Sequence, residues 1–219
     1  MKTFGILSAC LLLVAPLTGL AGGNATLRAD TDAGSGAIEI SWSGDGALRM
    51  ETGTGPGYFI VREGKAYVVM QQGGQTMVME LASMMKMAAG QVGNVPAGDT
   101  FGRVESVNAT GASETVAGIE GRVYQVTWTD GDGQRHSGDV VLTDDALVAE
   151  MTEAYLGAVQ AMSGADTDAY RQSLPEGERG LLRSGEDFRI ESISGDEPPP
   201  GAFELPAEPM DLQKMMQGR

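Results

Sequence analysis

Apolar and polar residues alternate along the first half of the chain, which is the period-two pattern of half-buried β-strands. The run at residues 38–42 is the clearest, and glycine-rich hairpin signals separate the runs that follow. Strands are predicted at residues 38–43, 47–51, 58–62, 65–71 and 75–81. Such short connections predict an antiparallel meander, and the polar segment 29–36 before it is predicted as a loop.

Two segments change to the period of a helix. Residues 81–90 space their apolar side chains three and four apart. The apolar stripe over residues 148–162 is longer, with Thr143 as its predicted N-cap and Gly164 at its end. A shorter helix is predicted at residues 166–174.

The strand pattern returns between and after these helices, with Gly118 and Gly121 predicted in one turn. These later strands are predicted at residues 103–110, 113–116, 122–129, 134–142, 188–193 and 203–205. The pattern as a whole predicts an α+β protein, an antiparallel sheet in two groups of strands with helices packed on one side. Residues 22–206 are predicted to form one domain, followed by a flexible tail at 207–219.

The N-terminus has the three parts of a secretory signal peptide. Lys2 provides the positive charge, residues 4–20 are an apolar run, and small residues precede a cleavage site after Ala21. Residues 7–10 resemble a lipobox ending at Cys10, but the apolar run continues beyond that cysteine, so anchoring as a lipoprotein is not predicted. The mature chain then lacks cysteine, which excludes disulfides, a catalytic thiolate and cysteine-based zinc sites.

The charge balance is strongly acidic, with 15 Lys and Arg against 30 Asp and Glu. Nucleic acids and anionic lipid surfaces repel such a protein, so both are poor partners. The acidity is interpreted as a source of solubility. No later segment is long and apolar enough to predict a membrane span in the mature chain.

Several short motifs resemble a known bacterial module. They are the strand motif at residues 46–51, the hairpin at 58–69, the strand start at 118–124 and the closing motif at 203–206. They resemble envelope domains of unknown function and the lipoprotein-carrier (Lol) superfamily. The resemblance implies a curved sheet that forms an incomplete β-barrel around helices, with an apolar cavity for an acyl chain. The chain departs from the carriers in its acidity, and Arg49 is the one candidate for their arginine among the first strands.

Residues that could carry chemistry are few. The only histidine, His136, could pair with Asp130 or Asp139 in a hydrolase, but the nucleophile motif Gly-x-Ser-x-Gly is missing. Asp130 and Asp132 lack the remaining ligands of a calcium loop and are interpreted as turn residues. Phosphate-loop, zinc-protease and dinucleotide motifs are also missing. The chain is therefore predicted not to be an enzyme, without a catalytic residue, metal site or cofactor.

Methionine is the unusual component, because six of the 13 methionines lie within residues 70–87. Three interpretations stay open. Methionine can be an adaptable core filler, it can line a site for apolar ligands, and its thioether can bind Cu(I), here through Met84, Met85 and Met87.

These observations together predict an exported periplasmic protein that binds an apolar ligand, such as a lipid acyl chain or a lipoprotein. The alternatives are a structural or stress-related envelope protein without a small ligand, and a methionine-rich Cu(I)-binding protein. The predicted ligand-lining residues are Trp42, Met50, Val61, Met77, Met79 and Trp128.

Overall fold

The computed structural model describes residues 22–31, 34–53, 57–92, 103–131 and 133–210. The predicted signal peptide and residues 211–219 of the predicted tail lie outside this part of the chain. The strands within it are β1 (Gly23–Thr31), β2 (Gly34–Trp42), β3 (Leu48–Thr52), β4 (Gly57–Arg62), β5 (Lys65–Gln72), β6 (Gln75–Glu80), β7 (Arg103–Val116), β8 (Ile119–Thr129), β9 (Arg135–Thr143), β10 (Gly180–Ser184) and β11 (Phe188–Ser194). The helices are α1 (Leu81–Val92), α2 (Ala146–Ser163) and α3 (Asp168–Ser173).

All these strands belong to one antiparallel sheet in the order β6-β5-β4-β3-β2-β1-β11-β10-β9-β8-β7. Each half is a meander of sequence neighbours, and the pairing of β1 with β11 joins the halves. Ala25 lies opposite Ile193, and Leu27 lies opposite Ile190. Because β6 and β7 stand at the two ends of the order, the curved sheet stays open. The α+β class and the antiparallel sheet in two groups are confirmed.

The main core combines both meanders with α2. Val148, Met151, Ala154 and Ala158 of α2 share this core, and α2 contacts β10, β5 and β3. The strand residues in it include Leu27, Ile40, Trp42, Leu48, Val61, Val141, Leu182 and Ile190. The apolar stripe that predicted α2 is therefore the part of the helix that the sheet covers, apart from Tyr155 and Met162, which are only partly buried against the core.

A second, smaller cluster lies on the opposite face of β4–β6. Ile60, Tyr67, Val69 and Val78 are buried there, and the C-terminal segment 195–210 covers them with Leu205 and Ala207. The Met210 nitrogen donates a hydrogen bond of 2.8 Å to the Val78 carbonyl. This segment, which we call the C-terminal strap, therefore closes one face of the sheet.

The structure corrects the predicted strand at residues 203–205. That stretch is a turn region, in which the Ala202 nitrogen donates to the Pro199 carbonyl and the Glu204 nitrogen to the Gly201 carbonyl. The prolines at 198–200 supply no N–H groups for a strand ladder, so turns form instead.

The predicted loop at residues 29–36 was also wrong, because β1 runs to Thr31 and β2 begins at Gly34. The short strand β10 was not predicted at all. Residues 29–31 pair with residues 34–36 in the β1–β2 hairpin, so the polar, glycine-rich stretch contains strand ends. Strand β10 pairs with its neighbour β11 and with the more distant β9.

Two single-residue predictions were wrong as well. The N-cap of α2 is Asp145, whose carboxylate accepts hydrogen bonds from the Leu147 and Val148 nitrogens at 3.0 and 3.1 Å. Thr143 instead ends β9. Gly121 lies inside β8, and the turn is formed by residues 117–118.

Candidate functional site

The register of β2–β6 brings apolar side chains into one continuous row. Met50 of β3 lies opposite Phe59, Phe59 lies opposite Val68, and Val68 lies opposite Met79 of β6. Ile40 of β2 extends the row at its inner end. Directly opposed residues point to the same face of a sheet, so these side chains share one surface.

A second row lies beside the first on the same face. Met70 is two residues beyond Val68 and lies opposite Met77, which is two residues before Met79. All six outer side chains of the two rows are half-buried. We call them the methionine face: Met50, Phe59, Val68, Met70, Met77 and Met79.

The same face is fully closed at its other end. Trp42 is 0% exposed and lies opposite Leu48, and Leu48 lies opposite Val61, which is 4% exposed. These residues belong to the main core under α2. The surface therefore changes from closed core at Trp42 to a half-open apolar area toward the edge strand β6.

The helix α1 starts directly after β6 and contacts β5 and β6. Its first residue, Leu81, packs against the main core. Met84 is half-buried, and Met85 has 45% of its surface exposed. Because the side chain of Met87 is outside the described part of the structure, the predicted Cu(I) set is placed only at Met84 and Met85.

Five of the six predicted lining residues share this face of β2–β6: Trp42, Met50, Val61, Met77 and Met79. Trp42 and Val61 are core residues, whereas the three methionines are half-buried. Trp128 lies elsewhere, on β8, which β1, β11, β10 and β9 separate from β2. Its ring stacks on His136 with the centroids 5.6 Å apart.

A groove of about 430 Å³ lies between the β2–β3 turn and α2. Its walls are mostly apolar and consist of Ser43, Gly44 and Gly46 of the turn and Ala146, Ala149, Glu150, Glu153, Ala154 and Gly157 of the helix. The volume is within the range of small-molecule sites. Sequence reasoning missed this groove, although the small residues at helical spacing along α2 were a usable signal.

His136 makes a polar pair rather than a recognisable catalytic group. Its Nε2 lies 2.6 Å from Oδ2 of Asp130, while Oδ1 of Asp130 accepts a hydrogen bond from the Gln134 nitrogen at 2.8 Å. The Ser137 hydroxyl accepts a hydrogen bond from Gln125 instead. Asp130 therefore holds the β8–β9 turn, as its interpretation as a turn residue predicted.

A buried carboxylate, Glu178, lies in a second and smaller cavity of about 180 Å³. Its Oε1 is 2.7 Å from Nε of Arg122, and its side chain is 3% exposed. Its Oε2 is buried without a hydrogen-bond partner in the described part of the structure. Burial raises the pKa of Glu178, and the nearby Asp144 adds to this, while Arg122 opposes it. Sequence reasoning did not identify this residue.

Between residues 22 and 210, the described segments contain no group of three or more His, Cys, Asp and Glu side chains that could hold a metal ion. None of the helices in these segments combines the length and apolar character of a membrane-crossing helix.

No protein-family model matches the chain, and no curated protein matches it significantly. The resemblance to the lipoprotein carriers therefore rests on the short motifs of the sequence alone.

Proposed function

We propose that this chain is an exported protein of the bacterial periplasm that binds an apolar ligand on the methionine face. A lipid acyl chain, free or as part of a lipoprotein, is the ligand class. One observation carries the proposal. The six side chains of the methionine face are only half-buried, although the C-terminal strap covers the apolar cluster on the other face of β4–β6.

The position of α1 supports the same proposal. An incomplete barrel with its helices on one side would place the ligand between the methionine face and α1. Leu81 already packs against the main core, and Met85 leaves an exposed apolar side chain on the helix. Methionine suits such a place because its flexible thioether adapts to apolar ligands of different shape. A partly exposed apolar area next to an exposed apolar side chain is typical of a binding site.

A titration of the mature chain with a fluorescent fatty acid tests the proposal. Changing Met77 and Met79 together to Gln removes roughly 1 kcal/mol of apolar burial per side chain, so binding should weaken about tenfold or more. Met210→Gln is the matched control, because this half-buried methionine lies on the strap and its backbone hydrogen bond to Val78 is kept. The control should bind the fatty acid as the wild type does.

The groove at α2 provides the contrasting variant. Ala149→Leu places a larger side chain in the groove and leaves the methionine face unchanged. If this variant loses binding while the Met77 and Met79 variant keeps it, the ligand site is the groove and the proposal is wrong. A flat titration of the wild-type chain supports the alternative of a structural or stress-related envelope protein without a small ligand.

Copper binding is a second candidate because Met70 and Met77 lie directly opposite each other. Met79, two residues after Met77 on β6, is on the same face of the sheet. Thioethers are soft ligands that select Cu(I). Native mass spectrometry of protein purified from a bacterial periplasm separates the candidates. Copper additions that disappear when Met70, Met77 and Met79 are changed to Leu would place the ion on β5 and β6, and additions that disappear when Met84, Met85 and Met87 are changed to Leu would place it on α1. An added mass of lipid size would favour the acyl chain.

A further inference from the structure

The first residue after the predicted cleavage site is already docked on α2. The Gly22 nitrogen lies 3.0 Å from Oε1 of Glu150, and Gly22 is buried. This contact joins two residues that are 128 positions apart. It connects the residue before β1 with the N-terminal part of α2.

The fit at this point depends on glycine. Gly22 has φ +93°, and a Cβ there would lie 2.3 Å from the Trp42 carbonyl oxygen. A Cβ on Gly23 would lie 2.4 Å from the Ser194 carbonyl oxygen and 2.6 Å from the Trp42 ring. Real Cβ atoms essentially never approach so closely. The two glycines therefore fix where the chain starts against α2.

Glu150 has no arginine or lysine partner in the described part of the chain, in contrast to Glu153 on the same helix. Glu153 is paired with Arg171, whose Nε lies 2.8 Å from Oε2. None of the ion pairs in the described part of the chain includes Glu150. Its partner is the Gly22 nitrogen, which in an uncut chain is a neutral amide with a single N–H.

We propose that cleavage after Ala21 turns this contact into an ion pair, so that removal of the signal peptide locks β1 onto α2. Water adds across the Ala21–Gly22 peptide bond, which leaves a carboxylate on Ala21 and an amine on Gly22. The amine takes up a proton at neutral pH and becomes an ammonium group with three donors. A charge-assisted hydrogen bond is about twice as strong as a neutral one, so the mature chain is more stable than its precursor.

Only a cut directly before Gly22 produces this ion pair. Cleavage one residue later would remove the nitrogen that faces Glu150, and cleavage earlier would leave that nitrogen as an amide. The inference rests on the proposed export and cleavage, and it is independent of the proposed ligand. Its test therefore uses stability and the N-terminal sequence rather than ligand binding.

The test is a double-mutant cycle on two forms of the chain that differ only in where they start. One chain starts at Gly22, and the other retains residues 17–21, so that Gly22 stays an amide. Each carries either Glu150 or Gln at this position, and thermal unfolding is followed by circular dichroism. In the chain that starts at Gly22, Glu150→Gln should lower Tm by about 3 °C or more, and in the longer chain by about 1 °C or less.

Glu153→Gln is the matched control because it removes the carboxylate charge that pairs with Arg171, and it should lower Tm equally for both starts. An equal effect of Glu150→Gln in both chains overturns the ion pair. N-terminal sequencing of the protein after export from a bacterial host tests the cut itself. A start other than Gly22 overturns the inference, and a chain that keeps its first 21 residues also overturns the proposed export.

Discussion

The packing between β8, β9 and β10 predicts a large effect from a single added methyl group. A Cβ on Gly121 would lie 2.7 Å from the Leu142 carbonyl oxygen, 2.7 Å from Cγ1 of Val141 and 2.8 Å from Cδ1 of Leu182. These distances are about 0.7 Å shorter than the 3.4 Å lower limit of an ordinary contact. The Leu142 oxygen is backbone, so it cannot rotate away as the end of a side chain can.

The loss of stability expected for Gly121→Ala depends on how many neighbouring atoms must move. Adding one methyl group to a well-packed core costs about 1–3 kcal/mol. Because Gly121→Ala crowds one backbone atom and two buried side chains at once, we expect the upper half of that range. For a chain of this size, a loss of about 2 kcal/mol lowers Tm by roughly 4–8 °C.

Gly157→Ala is the matched control because it makes the same chemical change with the opposite expected sign. Nothing lies within 4 Å of a Cβ at Gly157, which is inside α2. Alanine is about 1 kcal/mol more favourable than glycine in a helix interior. The two variants should therefore differ by about 3 kcal/mol in the free energy of unfolding.

Urea unfolding followed by far-ultraviolet circular dichroism measures both values. The slope of the free energy against urea should stay equal to that of the wild type, because neither change alters the area exposed on unfolding. A Gly121→Ala protein within about 0.5 kcal/mol of the wild type would refute the reasoning. It would mean that β8 packs more loosely against β9 and β10 than the distances state.

Three further predictions concern ionisation and capping. Because burial raises the pKa of Glu178, the contribution of this residue to stability is present in acid and is lost as the pH rises above about 4. The Tm of Glu178→Gln should therefore increase relative to the Tm of the wild type between pH 4 and 7. A Tm difference that stays constant over this range contradicts the prediction. Burial raises the pKa of Tyr170 to about 12. The free energy of unfolding of the wild type should therefore fall by roughly 2 kcal/mol relative to that of Tyr170→Phe as the pH rises from about 10 to 12. Urea unfolding at each pH measures this difference. Asp145→Ala should cost about 1 kcal/mol by removing the cap of α2, whereas Asp145→Asn, which can still cap, should cost much less in the same assay.

Much of the fold could be predicted from local sequence signals. Glu63 and Gly64 both have positive φ in the β4–β5 turn, and such a turn fixes the register of its two strands. The alternation in the strands and the apolar stripe of α2 likewise reflect interactions between close neighbours. These features were predicted correctly because the residues that determine them lie within a few positions of each other.

Two of the failures come from contacts between residues that are distant in the chain. Gly121 was predicted in a turn, but its lack of a side chain serves the contact with Val141 and Leu182. Strand β10 was not predicted, and Gly180 in it pairs with Thr143 of β9. Sequence patterns carry little information about such distant contacts.

The candidate site shows the same division. The sequence alone identified the methionine cluster and predicted Met50, Met77 and Met79 as ligand-lining residues. It could not separate them from Trp42 and Val61, which the packing of α2 buries in the core. It also did not identify the groove at α2, because its walls come from a turn and a helix about 100 residues apart.

The sequence by itself determined most of the hairpins, the helices and the acidic character of this protein, because periodicity, turn chemistry and charge are local properties. The tertiary structure decided which apolar residues are closed and which stay half-open. The pairing of β1 with β11, the cover that the strap gives to Val78, and the contact of Gly22 with Glu150 all depend on the path of the whole chain. Contacts of this kind are fixed only when distant segments pack together, since their energy comes from burial and hydrogen bonding between them.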